Sequence, residues 1–110
     1  MRYRVSPNVA VRTTDAAGAV DFYSRVLGLP ITAESGGETT IDASPLTLFV
    51  INDDQVAGPV HELLVDDLEA ARDELVANGC EVVRWHGKGQ DCYIRDPFGV
   101  VFNLWEEPDG

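Results

Sequence analysis

The chain has 110 residues, 45% of them hydrophobic and 25% charged, which suffices for one compact core and is too short for two independent domains. Eight Lys+Arg against nineteen Asp+Glu leave a formal charge of −11 at pH 7. A surface this acidic repels phosphate backbones and anionic headgroups, so neither nucleic acid nor a membrane surface is an expected partner.

Residues 1–8 hold no apolar run ending in a small-residue cleavage site, and no stretch of the chain approaches the roughly 18 apolar residues of a membrane span. A cytoplasmic location is expected. The first alternating segment, Asn8 to Arg12, predicts a strand. From Asp15, a plausible N-cap, Ala19, Val20, Phe22, Tyr23, Val26 and Leu27 recur at helical spacing until Gly28 and Pro30 end the run. Three further strands are predicted, Ile31 to Ala33, Thr39 to Ala43 and Leu46 to Ile51, with Gly36-Gly37 as a hairpin turn.

Residues 54–59 form a polar linker. After it Val60 to Val65 predicts a strand, and Asp67 opens a second helix with Leu68, Ala71, Leu75 and Val76 along one face and Asn78-Gly79 as its stop. Glu81 to Trp85, Cys92 to Arg95 and Val100 to Trp105 complete the predicted strands. Cys80 and Cys92 belong to no Cys-x-x-Cys pair or zinc-ligand spacing and read as free thiols.

Asp15 and Asp67 lie 52 residues apart, and Gly28 and Gly79 lie 51 apart. The chain therefore reads as one βαβββ plan used twice, unit one over 1–53 and unit two over 60–110, within a single domain over 1–110. A single helix covers only one face of a four-stranded sheet. The expected fold is α+β, two tandem units forming a curved mixed sheet around a concave cavity suited to a small molecule.

The stretch from Thr14 to Leu29, with Phe22-Tyr23 and Leu27-Gly28-Leu29, the segment Tyr93-Ile94-Arg95-Asp96-Pro97-Phe98-Gly99, and the strand ending Asn103-Leu104-Trp105-Glu106 together resemble the vicinal oxygen chelate superfamily. That superfamily comprises glyoxalase I, extradiol dioxygenases, fosfomycin resistance proteins and bleomycin resistance proteins. The resemblance spans essentially the whole chain and implies the fold far more than the reaction. Its metal enzymes carry ligands seven residues before the helix-opening Asp and seven after the Asp of the Asp-Pro-x-Gly motif, which here are Asn8, Val60 and Asn103. None is His or Glu. An amide oxygen is a weak neutral ligand and a valine offers no lone pair, so no metal and no cofactor are expected. His61 is one residue from a ligand position, but strand alternation turns it to the face opposite Glu62. His86 reads as a loop histidine, and no two-histidine, one-carboxylate triad is available.

Alternation puts Asn8, Ala10 and Arg12 on one face of the first strand, Val60, Glu62 and Leu64 on the equivalent face of the fifth, and Val101, Asn103 and Trp105 on one face of the last. Family registers leave Thr47 or Phe49 open for the last strand of unit one. A five-residue turn from Asp96 to Val100 sets Tyr93 opposite Asn103, and a four-residue turn sets Cys92 there; the fosfomycin resistance relatives favour the tyrosine. The candidate ligand-binding residues are Asn8, Arg12, Phe49, Glu62, Tyr93, Asn103 and Trp105, with no catalytic residue assigned. Each has a plainer reading: Phe49 and Trp105 as core or interface, Tyr93 as a core cap, Arg12 and Glu62 as an ion pair.

No phosphate loop and no nucleophile with a placed histidine competes with this site. The expected function is a metal-independent small-molecule binding protein, similar to the bleomycin resistance branch, that sequesters a polar or cationic ligand at the cleft of a homodimer. Two alternatives stay open: a glyoxalase-type lyase, isomerase or dioxygenase with irregular ligands or with Glu62 or Tyr93 as acid or base, and a dimeric scaffold with an unused cleft.

Overall fold

The computed structural model describes residues 2–107. They divide into two compact units, residues 7–60, and residues 2–6 together with residues 61–107. The described elements, in chain order, are β1 (Arg4–Thr13), α1 (Ala16–Asp21), β2 (Ile31–Ser35), β3 (Glu38–Ala43), β4 (Leu46–Asn52), β5 (Gly58–Val65), α2 (Leu68–Ala77), β6 (Glu81–Trp85), β7 (Cys92–Arg95) and β8 (Val101–Glu106). The fold is mixed α+β, as the sequence predicts. No helix among the described residues is long and apolar enough to cross a membrane.

The first unit orders its strands β2-β3-β4-β1 and the second β6-β7-β8-β5. In each unit the first and last strands run parallel, β1 beside β4 and β5 beside β8, and the remaining pairs are antiparallel. A parallel neighbour requires a crossover, which the helix supplies; the antiparallel pairs need only tight turns.

Strand alternation sends one set of side chains onto the helix and the other set to the opposite, helix-free face. In the first unit Ile41 and Val50 are fully buried against Ala16, with Val11, Ala19, Val20, Tyr23, Leu29 and Leu48 packed around them. In the second, Val65, Leu68, Ala71, Cys92, Ile94, Phe102 and Leu104 form the core under α2. Removing these side chains from water at about 25 cal/mol per Å² drives each unit's collapse.

Both helices start where the sequence places them. The Asp15 carboxylate accepts from the Gly18 amide at 2.9 Å, and the Asp67 carboxylate accepts from the Ala70 amide at 3.0 Å; each satisfies an otherwise orphaned N–H.

The first helix differs from the single run expected between Asp15 and Gly28. It is α-helical only over Ala16–Asp21 and continues as a π-helical turn over Phe22–Val26. The Ser24 hydroxyl donates to the Val20 carbonyl at 2.7 Å, competing for the acceptor that an α-helical amide would use. The Leu27 amide reaches back five residues to Phe22.

The first strand starts four residues earlier than the predicted Asn8. Arg4 pairs with Asp66 at 3.0 Å and donates to the Glu107 carbonyl, and the Tyr3 hydroxyl donates to Glu74 at 2.9 Å. These partners lie more than sixty residues away in sequence, so no local periodicity could announce them.

Candidate functional site

In the first unit, Asn8, Ala10 and Arg12 lie on the helix-free face of β1, since Val11 packs with the core. Register pairs Asn8 with Thr47, Ala10 with Phe49 and Arg12 with Ile51, and carries the rows on to Asp42 and Thr40 of β3. Thr47 and Phe49 thus share this face, two residues apart, while Leu48 and Val50 turn to the helix. The alternative left open for this strand resolves in favour of both residues. Arg12 is buried, at 8% exposure.

The second unit assembles a polar row. On the helix-free face, Glu62 of β5 pairs in register with Asn103 of β8, Asn103 with Tyr93 of β7, and Tyr93 with Arg84 of β6. Leu64 and Trp105 form the neighbouring pair on the same face. The Tyr93–Asn103 pairing follows from the five-residue turn: the Asp96 amide donates to the Val100 carbonyl at 2.8 Å, and the Asp96 carboxylate accepts from the Phe98 and Val100 amides at 2.9 and 3.0 Å.

Asn103 bridges three strands. Its Oδ1 accepts from the Cys92 amide at 2.8 Å, and its Nδ2 donates to Glu62 Oε2 at 3.3 Å. The opposite amide orientation would set an oxygen against a carboxylate and an NH₂ against an N–H, so the network defines which atom is which. Tyr93 is 1% exposed, and the Arg84 guanidinium lies 5.1 Å from its ring centroid, a cation–π contact. Arg84 is also held by Asp91 at 3.2 Å.

The metal-ligand positions implied by the resemblance do not fit a metal. Val60 carries no donor, Asn8 is an amide, and the Asn103 oxygen is turned onto a peptide N–H. Among the described residues no three His, Cys, Asp or Glu side chains come together as a metal-holding group. His61 lies against Phe102, ring centroids 5.6 Å apart, on the helix side and away from Glu62, as alternation requires. Cys80 and Cys92 are free thiols. Burial pushes both up from their ordinary range, although hydrogen bonds involving Gly87 and His86 partly oppose this at Cys92. Neither is poised as a thiolate nucleophile.

The structure thus brings Glu62, Tyr93, Asn103 and Trp105 onto one face of the second unit, and Asn8, Arg12 and Phe49 onto one face of the first. Sequence reasoning missed Arg84 and Asp91. Arg84 sits beyond a register irregularity between Val82 and Arg84, and such a shift changes which residues of a strand face together.

A family model described as a glyoxalase-like domain matches residues 8–105. No curated protein matches the chain. Among solved structures, a glyoxalase/bleomycin resistance protein/dioxygenase superfamily member from Vibrio splendidus is similar at a TM-score of 0.67 and 14% identity, covering 96% of this chain and 100% of that one. Methylmalonyl-CoA epimerase from Mycobacterium tuberculosis is similar at 0.60 and 21%, covering 96% of this chain and 88% of that one. Homoprotocatechuate 2,3-dioxygenase from Brevibacterium fuscum is similar at 0.63 and 22%, covering 96% of this chain but 36% of the other. Identities this low carry the fold and leave the reaction open.

Proposed function

The chain belongs to the glyoxalase-like domain family, and from that premise we propose that it is a metal-independent small-molecule binding protein that sequesters a polar or cationic ligand. The candidate ligand-binding residues are Asn8, Arg12 and Phe49 on the helix-free face of one unit, and Glu62, Tyr93, Asn103 and Trp105 on the helix-free face of the other, each face taken by itself. The observation that carries this reading is the state of Asn103. At a position where the resemblance calls for a metal donor, its oxygen is bonded to the Cys92 amide and its nitrogen to Glu62. The formal charge of −11 supports a cationic rather than an anionic ligand, because the protein's field attracts the former. The reading parallels the bleomycin resistance branch, which binds its drug at acidic clefts between the subunits of a homodimer.

The likeness to an epimerase and a dioxygenase supports a second reading, an enzyme with irregular metal ligands or with Glu62 as acid or base. Two measurements separate these readings. Elemental analysis of protein purified without chelator is expected to find no stoichiometric zinc, nickel, manganese or iron, and a thermal-shift screen is expected to give stabilisation by organic cations that survives EDTA. Stoichiometric metal lost on replacing Asn103 or Glu62 overturns the sequestration reading. Sedimentation at micromolar concentration is expected to show a dimer, and a monomer removes the inter-subunit cleft from the proposal.

A further inference from the structure

We propose that the loop between β6 and β7 is a flap held shut by Lys88, whose ion pair with Glu106 fastens the loop tip and, through Gly87 and Cys92, steadies Asn103 in the polar row of this unit. The flap is built from contacts within the second unit and is tested without any ligand, so its failure leaves the binding reading above standing.

The loop, residues 86–91, is fixed at its base and loose at its tip. At the base, the His86 amide donates to the Asp91 carbonyl at 2.8 Å, and the Asp91 carboxylate lies 3.2 Å from the Arg84 guanidinium. At the tip, Gly87 and Gly89 flank Lys88 with φ of +98° and +79°. A Cβ at either would meet nothing within 4 Å, so glycine is required by the left-handed backbone and not by crowding. Lys88, Gly89 and Gln90 are exposed and carry no apolar side chain. Such a segment opens at low cost.

The tip is tied down through Lys88. It is the single lysine in the sequence, and its Nζ lies 3.4 Å from Glu106 Oε1. The other oxygen of Glu106 accepts from the amide of Leu68, the first residue of α2, at 3.3 Å. The carboxylate is thus anchored without Lys88. Its side chain is 21% exposed against 69% for the lysine, so when the pair breaks, water reaches both charges. A pair this open is weak and screened by salt; it biases the loop toward the closed position without locking it.

The tip reaches the polar row through one carbonyl. The Gly87 oxygen accepts from the Gln90 amide at 3.1 Å and from Cys92 Sγ at 3.2 Å. Cys92 is fully buried, and its amide donates to Asn103 Oδ1 at 2.8 Å. Opening the tip moves Gly87, takes the acceptor from the Cys92 thiol and loosens the strand end whose amide orients Asn103. One exposed cation thereby acts on a half-buried amide.

Lysyl endopeptidase cuts this sequence after Lys88 alone, so its rate on the folded full chain reads how often the tip opens. E106Q keeps an oxygen for the Leu68 amide and removes the ion pair. It is expected to be cleaved about threefold faster than wild type at roughly 10 mM NaCl, with the ratio approaching one near about 1 M. In the same variant, amide exchange followed by NMR is expected to quicken about threefold at Gln90 and Cys92, while the Ala71 amide, bonded within α2 to the Asp67 carbonyl at 3.0 Å, keeps its wild-type rate. Equal cleavage rates at low salt overturn the latch. Exchange that quickens at Gln90 and not at Cys92 overturns the link to Asn103, and exchange that quickens equally at Ala71 overturns a local flap.

Two further variants cover the case in which E106Q does not fold, since neither touches the helix. K88Q is expected to reproduce the faster exchange at Gln90 and Cys92, and K88R, which keeps the charge, to exchange at the wild-type rate. Wild-type exchange at Gln90 in K88Q overturns the proposal.

Discussion

Tyr3 carries a clear pH signature. Burial first, then donation of its hydroxyl to Glu74, pushes its pKa from 10.0 up to about 12. The folded state thus holds the phenol's proton where the unfolded chain releases it, so this contribution to stability is complete below about pH 10 and fades as pH rises toward 12. Urea unfolding of wild type is expected to show a midpoint falling between pH 10 and 11.5. Y3F, which lacks the ionisable group, is expected to fall less steeply over the same interval; parallel curves would sink the assignment. Among the candidate site residues, Asn103 shows most directly how far residue-level reading reaches. Its type and position mark an amide in an otherwise apolar strand, which must find partners. That those partners are Cys92 and Glu62 follows only from two strand registers meeting at one residue.

Among the elements, α2 has both ends written in its sequence. Asp67 caps its start, and Gly79 follows Asn78 at its end with φ of +97°, a left-handed conformation that costs an L-residue with a side chain roughly 1 kcal/mol. A Cβ at Gly79 would also stand 3.3 Å from Pro97 Cγ. D67A is expected to cost about 1 kcal/mol through loss of the cap, and G79A at least as much, both read as lowered urea midpoints with unchanged slope. A G79A protein as stable as wild type would show that the turn can reorganise. The first helix was less legible. Apolar spacing identifies its buried face but does not encode the switch to a π-helical turn over Phe22–Val26, within which the Ser24 hydroxyl bonds back to the Val20 carbonyl.

For the whole molecule, the charge that first excluded nucleic acid also bears on stability. At −11 the folded chain repels itself, and salt screens that repulsion with a Debye length of about 10 Å at 0.1 M. Raising NaCl from roughly 10 to 300 mM is expected to raise the melting temperature. A melting temperature that falls would mean that ion pairs such as Arg4–Asp66 and Arg84–Asp91 outweigh the net repulsion.

Sequence alone determined the α+β composition, the doubled plan, the two helix caps and the alternation of faces along the regular strands. These depend on short-range rules: an Asx side chain bonding an amide three residues on, and a side-chain period of two. Only the tertiary structure decided what depends on partners distant in sequence. It set the start of β1 through Asp66, Glu74 and Glu107, turned the face shared by Thr47 and Phe49 away from the helix, and brought Arg84 onto Tyr93 past a register irregularity. It also closed the amide of Asn103 between Cys92 and Glu62. A side chain's type is local information, but the atoms that satisfy it are chosen when strands from separate parts of the chain come into register.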